Sequence, residues 1–356
     1  MLAASARRAG FRPVVFDLFG DRDTREMAET HVLTDENGLF DEPRLLQHVA
    51  TVVAAHSVRG LVYGGGLECL PELLERLARV VPLCGNPPEV VRACKTPERF
   101  FSCLARLGIP FPETRFFPPP ADPRWLVKPR CGTGGKRVGF HAAREGAGAA
   151  VYFQRHVSGV ALSALFLADG RTARVVGFNT LWSENRGGET PFLFAGTLNR
   201  TPLGDAHRAE VQGWVESLSG ALGLTGLNGL DFMFDGQRCH VLEVNPRPSA
   251  TLTLYDADYP QGILAAHLDA CAGRLPAGDL PASPPRAWRV VYAPRDGQIP
   301  PVLEWPAWSA DRPPPGARFR AGEPLCTVCA EGATGEDAAA LSTARCDAVL
   351  ALCGAQ

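Results

Sequence analysis

The chain has 356 residues, 46% hydrophobic and 21% charged, with a formal net charge of −2. Such a composition is that of a globular protein of two or three domains, and it leaves no basic field to attract nucleic acid. No run approaches the roughly 18 consecutive apolar residues of a membrane span. No long apolar stretch follows the slightly basic "MLAASARRAG", so a cytoplasmic chain without a secretory signal is expected. The eleven cysteines are scattered singly apart from Cys326 and Cys329, which predicts reduced thiols.

"PVVFDLFGD" reads as a first buried strand, "DEPRLLQHVATVVAAHSV" as an amphipathic helix and "GLVYGGGLE" as a second strand. A helix over "CLPELLERLARV" and a third strand over "VVPLCGN" follow. This alternation predicts a parallel sheet covered by helices, with "YGGG" at a strand's carboxyl end, where such sheets bind ligands. Glu68 reads first as a helix-start carboxylate and second as a substrate contact. Thr96 and Pro97 open a further helix that stops at Gly108 and Pro110. The Pro-rich "FFPPPADPR" leads to the strand "WLVKP", and "AAREGAGAA" to the strand "VYFQRHV". "ALSALFLADG" and "ARVVGFNTLW" alternate like a hairpin, and "DAHRAEVQGWVESLSGALG" is a helix before a last pair of strands. Residues 286–356, rich in Pro and Gly, read as a small, mostly β appendage.

Of the 36 basic residues only Lys95, Lys128 and Lys136 are lysine, and two of them flank a glycine-rich loop in "LVKPRCGTGGKRVGF". A compact ammonium on a flexible stem is needed where a planar guanidinium will not serve. The loop matches neither the Walker A pattern, since Arg130 and Arg137 fall on its fixed positions, nor G-x-G-x-x-G. Its bare amides are nevertheless suited to folding over phosphates.

In "VLEVNPRPS", Glu243, Asn245 and Arg247 recur at period two and so emerge on one strand face. A carboxylate, an amide oxygen and a guanidinium side by side suit a hard cation with an arginine beside it, and Asp231 on the preceding strand offers a second carboxylate. Parity then constrains the turn. A two-residue Asp235-Gly236 hairpin would send Asp231 to the face opposite Glu243, so the loop has odd length or a bulge intervenes. A loop of Phe234, Asp235 and Gly236 with Gly236 left-handed meets this condition.

The order of these parts over residues 11–285 resembles the ATP-grasp superfamily. There is a lysine before a helix, a strand ending in Lys-Pro, a Gly-rich loop, a hinge strand and then D…E-x-N-x-R. The resemblance implies an α/β chain with a Rossmann-like pre-ATP-grasp domain over residues 1–91. It implies an ATP-grasp domain over 92–285 with a lid at about 115–158, ahead of the β-rich region 286–356. It implies ATP and Mg²⁺ (or Mn²⁺) as cofactors. Lys95 and Lys128 would hold the α- and β-phosphates. Gly132, Thr133, Gly134, Gly135 and Lys136 would close over the γ-phosphate. Gln154, Arg155 and Val157 would border the adenine, with Arg155 and Ala161 standing where relatives often carry acids. Asp231, Glu243 and Asn245 would bind the metal, and Arg247, with Lys128, would serve the reaction itself.

Activity of this kind phosphorylates a carboxylate and lets an amine displace the phosphate, releasing ADP. The organisation is similar to the carboxylate–amine ligases of biosynthesis, with tyramine–glutamate ligase as one comparison. Small-molecule carboxylate and amine partners follow, with no nucleic acid and no membrane, and a homodimer is compatible. A bicarbonate-using carboxylase subunit and a regulatory nucleotide-binding protein without turnover are the alternatives. Arg186 in "SENRGGETPFLFAG", and Asp256 and Asp258 after the metal strand, are further candidates for substrate contact.

Overall fold

A computed structural model describes residues 1–35, 38–120, 122–141, 150–185, 191–278 and 280–354. The first part of the chain runs α1 (Leu2–Arg8), β1 (Val14–Asp17), α2 (Arg22–Met27), β2 (Glu29–Val32), α3 (Glu42–Ala55), α4 (Pro71–Ala78), α5 (Pro88–Lys95) and α6 (Pro97–Leu107). β1 pairs with β2 in parallel. The two further strands expected here do not form, and their segments meet only at a parallel Leu61–Leu83 bridge. Among the described residues β1 pairs only with β2, and β1 and residues 58–65 both line a cavity of about 1400 Å³. Gly66, at φ +101, turns the chain from extended backbone into a single helical turn at Leu67–Cys69. Thr96 stands at the start of α6 without a side-chain capping bond, and Gly108 closes that helix in the left-handed conformation at φ 69.

A small antiparallel sheet follows, built of β3 (Thr114–Arg115), β4 (Trp125–Pro129), β5 (Gly139–Phe140) and β6 (Val151–Arg155) in the order β3-β6-β4-β5. Trp125, Val127 and Phe153 fill its inner side. Leu126, Lys128 and Gln154 alternate with these and fall on its other face.

The centre is one large antiparallel sheet. It takes β7 (Val160–Asp169), β8 (Ala173–Glu184), β9 (Leu193–Leu198), then after α7 (Asp205–Leu222) β10 (Thr225–Phe234) and β11 (Cys239–Asn245). Beyond α8 (Ile263–Cys271) come β12 (Arg286–Tyr292), β13 (Gly297–Gln298), β14 (Ser309–Ala310), β15 (Arg318–Phe319), β16 (Pro324–Glu331) and α9 (Gly335–Leu352). The sheet order is β11-β10-β7-β8-β9-β12-β16-β14. The tail therefore does not stand apart as a β appendage, because β12 pairs with β9 inside this sheet and an 18-residue helix ends the tail.

β7 shows why the sheet sits at the core. Leu162, Ala164, Phe166 and Ala168 pack with Phe100, Leu104, Val211 and Leu218 from α6 and α7. The intervening Leu165 and Leu167 pack on the other face with Ile263 and Ala270 of α8. A strand apolar on both faces must be covered on both, at about 1.5–3 kcal/mol for each large side chain buried. Among the described residues no helix is long and apolar enough to cross a membrane.

A buried polar knot holds the first part of the chain to the large sheet. Asn86, with no exposed surface, donates through Nδ2 to Asn228 Oδ1 at 2.7 Å and to the Pro246 carbonyl at 2.9 Å. Its Oδ1 accepts from the Thr225 amide at 2.8 Å, and its carbonyl accepts from Tyr63 Oη at 2.7 Å. Asn86→Ala removes three side-chain hydrogen bonds at a buried position, so a loss of about 3 kcal/mol is expected from urea unfolding. A loss under about 0.5 kcal/mol would show that the knot carries no weight.

Candidate active site

The site grows from the β10–β11 pair. Phe234 pairs with Cys239, Met233 with His240 and Phe232 with Val241, but Asp231 pairs with Glu243, so the register slips by one residue at Leu242. The connecting loop is Asp235–Arg238, four residues closed by Asp235 N–H to the Arg238 carbonyl at 3.1 Å. The expected odd loop of Phe234–Gly236 is thus replaced by an even loop plus a β-bulge, the second of the two routes by which parity brings both carboxylates to one face. Asn245 lies next along that face and donates Nδ2 to Asp231 Oδ2 at 2.9 Å.

Lys95, the last residue of α5, reaches into this group. Its Nζ lies 3.0 Å from Glu243 Oε2 and 3.1 Å from Asn245 Oδ1, with the side chain only 10% exposed. A helix C-terminus favours a cation there. Burial pushes the Asp231 carboxyl well above its usual range, with Glu243 adding to the rise. Burial acts on Glu243 in the same direction, but the ammonium groups of Lys95 and Lys128 outweigh it and hold this carboxyl below its usual range. Burial also opposes the charge of Lys95, yet Glu243 and Glu68 together raise its pKa.

Arg247 follows the strand and turns back on the first part of the chain. Its Nε donates to Glu68 Oε1 at 2.8 Å, with 12% of the arginine and none of the Glu68 side chain exposed. Glu68 Oε2 is buried without a partner. This carboxylate, expected first as a helix-start charge, is buried and ion-paired with Arg247. The sequence signal was its place two residues past the "GGG" turn. In the small sheet, Lys128 Nζ donates to Gln154 Oε1 at 3.1 Å, and Gln154 Nε2 donates to Thr114 Oγ1 at 3.1 Å.

The glycine loop lies against the large sheet. The Phe194 amide donates to the Gly134 carbonyl at 2.9 Å. At Gly135 (φ +73) any side chain would overlap the Phe192 carbonyl, so both conformation and space demand glycine. Lys136 and Thr133 are both exposed. Arg155 turns away from Lys128, donating to Asp122 at 3.1 Å and lying over the Trp125 ring, while Val157 sits in the connector to β7. Asp256 accepts from the Ile263 amide at 2.9 Å, and Asp258 pairs with Arg286 at 2.7 Å, so both are occupied within the fold. Arg186 lies outside the described residues.

One expectation fails here. Cys69 and Cys131 are joined in a disulfide, with Cα atoms 5.7 Å apart, and the other nine cysteines are free.

The residues fit a magnesium nucleotide. Asp231, Glu243 and Asn245 form a hard-oxygen set in which Glu243 and Asn245 already accommodate one cation, the Lys95 ammonium. Residues 99–251 match the family model described as the ATP-grasp domain. The chain therefore carries an ATP-grasp domain. Its fold is similar to that of a biotin carboxylase domain of Hydrogenobacter thermophilus 2-oxoglutarate carboxylase, solved with MgADP, ADP and bicarbonate. There the TM-score is 0.75 at 12% identity, over 96% of this chain and 85% of that one. It is also similar to N5-carboxyaminoimidazole ribonucleotide synthetase from Thermus thermophilus, with a TM-score of 0.69 at 16% identity, over 99% and 95% of the two chains.

Arg247→Met removes one partner of a buried ion pair and should cost about 3–5 kcal/mol in urea unfolding. Adding Glu68→Gln to that variant should recover most of the loss. A double variant no more stable than Arg247→Met would show that the pair is not coupled.

Proposed function

We propose that this protein is an ATP-dependent ligase that activates a carboxylate as an acyl phosphate and couples it to an amine, releasing ADP and phosphate. The observation that carries the reading is the Leu242 bulge, which sets Asp231 opposite Glu243 with Asn245, Lys95 and Arg247 around them. Lys95 and Lys128 take the α- and β-phosphates. The loop Gly132–Lys136 covers the γ-phosphate, and Gln154, Arg155 and Val157 border the adenine. Asp231, Glu243 and Asn245 hold Mg²⁺, which supplies charge neutralisation along the phosphates. In this reading residues 1–91 are a Rossmann-like unit, 92–285 the ATP-grasp region with its lid at about 115–158, and 286–356 a C-terminal region. The chain works in the cytoplasm.

The chemistry asks for positioning and charge rather than for a protein nucleophile. A carboxylate oxygen attacks the γ-phosphorus and ADP leaves. The amine nitrogen then attacks the acyl carbon and phosphate leaves. Arg247, steered by Glu68 through Nε and giving Nη1 to the Pro248 carbonyl at 3.3 Å, turns its guanidinium charge to the negative charge that develops at the transferred group. Glycine-loop closure excludes water, which would otherwise hydrolyse the activated acyl group. Bicarbonate is the second reading, favoured by the structural likeness to biotin carboxylase domains.

The test is ADP release with Mg²⁺ and ATP against pooled amino acids, polyamines and aromatic amines, with bicarbonate in a separate arm. ADP that needs a carboxylate and an amine together is expected. ADP formed with bicarbonate alone would select the second reading, and ATP binding without turnover in any arm would point to a regulatory protein. In the productive arm, Glu243→Gln should lower the rate at least about 100-fold and Lys128→Arg at least about tenfold. An unchanged rate in Lys128→Arg would remove the phosphate role of that lysine.

A further inference from the structure

Cys131 opens the glycine loop, one residue before Gly132, and Cys69 follows Glu68, the partner of Arg247. The two lie 62 residues apart in sequence on different parts of the fold, yet their Cα atoms stand 5.7 Å apart, within the span that a disulfide bridges. Of the eleven cysteines Cys131 alone is exposed, while Cys69 is half-buried behind it. Among the described residues a backbone bond from Phe194 to Gly134 and the seat of Gly135 against Phe192 also hold the loop, and Arg130 just before it pairs with Glu98 at 2.6 Å. With the bond made, the loop is held covalently to the first part of the chain and by hydrogen bonding to the large sheet. With two thiols, the non-covalent contacts remain and the covalent tie is gone.

We propose that Cys69 and Cys131 are a thiol–disulfide modification site that governs entry of the nucleotide. This rests on the ligase reading, in which ATP passes beneath the glycine loop. The oxidant is a low-molecular-weight disulfide such as oxidised glutathione. The exposed Cys131 thiolate attacks one sulfur of that disulfide, forming a mixed disulfide and expelling one small thiolate. The Cys69 thiolate then attacks the Cys131 sulfur and expels the second. One S–S bond is broken and one is made. Two electrons pass from the protein to the oxidant, and the two protons leave with the two small thiols. Dithiothreitol reverses the exchange. Oxidation holds the loop shut over an empty site, so the fraction of chains competent to admit ATP falls and the apparent dissociation constant rises by the inverse of that fraction.

The experiment uses the full chain, divided between dithiothreitol and oxidised glutathione and then desalted. Non-reducing peptide mapping by mass spectrometry should find Cys69 linked to Cys131 in the oxidised sample only. Calorimetry should find MgATP bound at least about tenfold more weakly there. Cys131→Ser should bind MgATP as the reduced chain does, whatever the treatment. The proposal is overturned by absence of the linked peptide, by equal affinity in the two states, or by sensitivity that persists in Cys131→Ser. No MgATP binding even by the reduced chain would overturn the ligase reading instead. The lock is then decided by hydrogen exchange over residues 132–138, where slower exchange after oxidation supports it and equal exchange removes it.

Discussion

Two carboxylates facing one another across a strand pair repel, and the site depends on how that repulsion is held. The register slip at Leu242 creates the confrontation of Asp231 and Glu243. Nothing on β10 or β11 neutralises it except the Asn245 amide. The compensating charges come from elsewhere. Lys95 arrives at the end of α5, Lys128 sits on the small sheet, and Arg247 is reached only after the strand has ended. Each of those elements is placed by its own packing, so the balance of charge exists only when the whole fold is assembled. A bound magnesium nucleotide would take over the role that Lys95 now plays toward Glu243 and Asn245.

The same dependence explains what the amino-acid order could and could not convey. The period-two run Glu243, Asn245, Arg247 and the apolar flanks of Asp231 are local, so the strands and their shared face were legible. Parity required some irregularity between the carboxylates without saying where. Asp235 decides it, because its Oδ1 accepts the Gln237 amide at 2.8 Å and the Arg238 amide at 2.7 Å, closing a four-residue loop and leaving the slip to the strand. The role of Glu68 was hidden because its partner lies 179 residues further along. The Cys69–Cys131 contact was hidden for a similar reason, since cysteine spacing alone does not give connectivity.

The tail shows the limit most plainly. "WRVVYAP" was readable as a strand, but not as the strand that extends the large sheet beyond β9, since pairing partners far apart in sequence leave no local trace. In the first part of the chain the opposite occurred. Extended apolar segments around Leu61 and Leu83 looked like strands, and they make one bridge where a ladder was expected. Three consecutive glycines, ending in the positive φ of Gly66, favour the turn that delivers Glu68 over continued extension.

β11, the strand that carries Glu243 and Asn245, is one of the two outer strands of the eight. An open edge of this kind is a template on which a second chain can grow a ladder. Here Val241 gives its amide to the Pro110 carbonyl at 2.8 Å, and the covering segment continues through Pro112. Proline has no N–H to return, so the cover takes one bond and cannot propagate a ladder. The strand that carries Glu243 and Asn245 thus gives up one position of its edge to a segment that cannot itself extend the ladder.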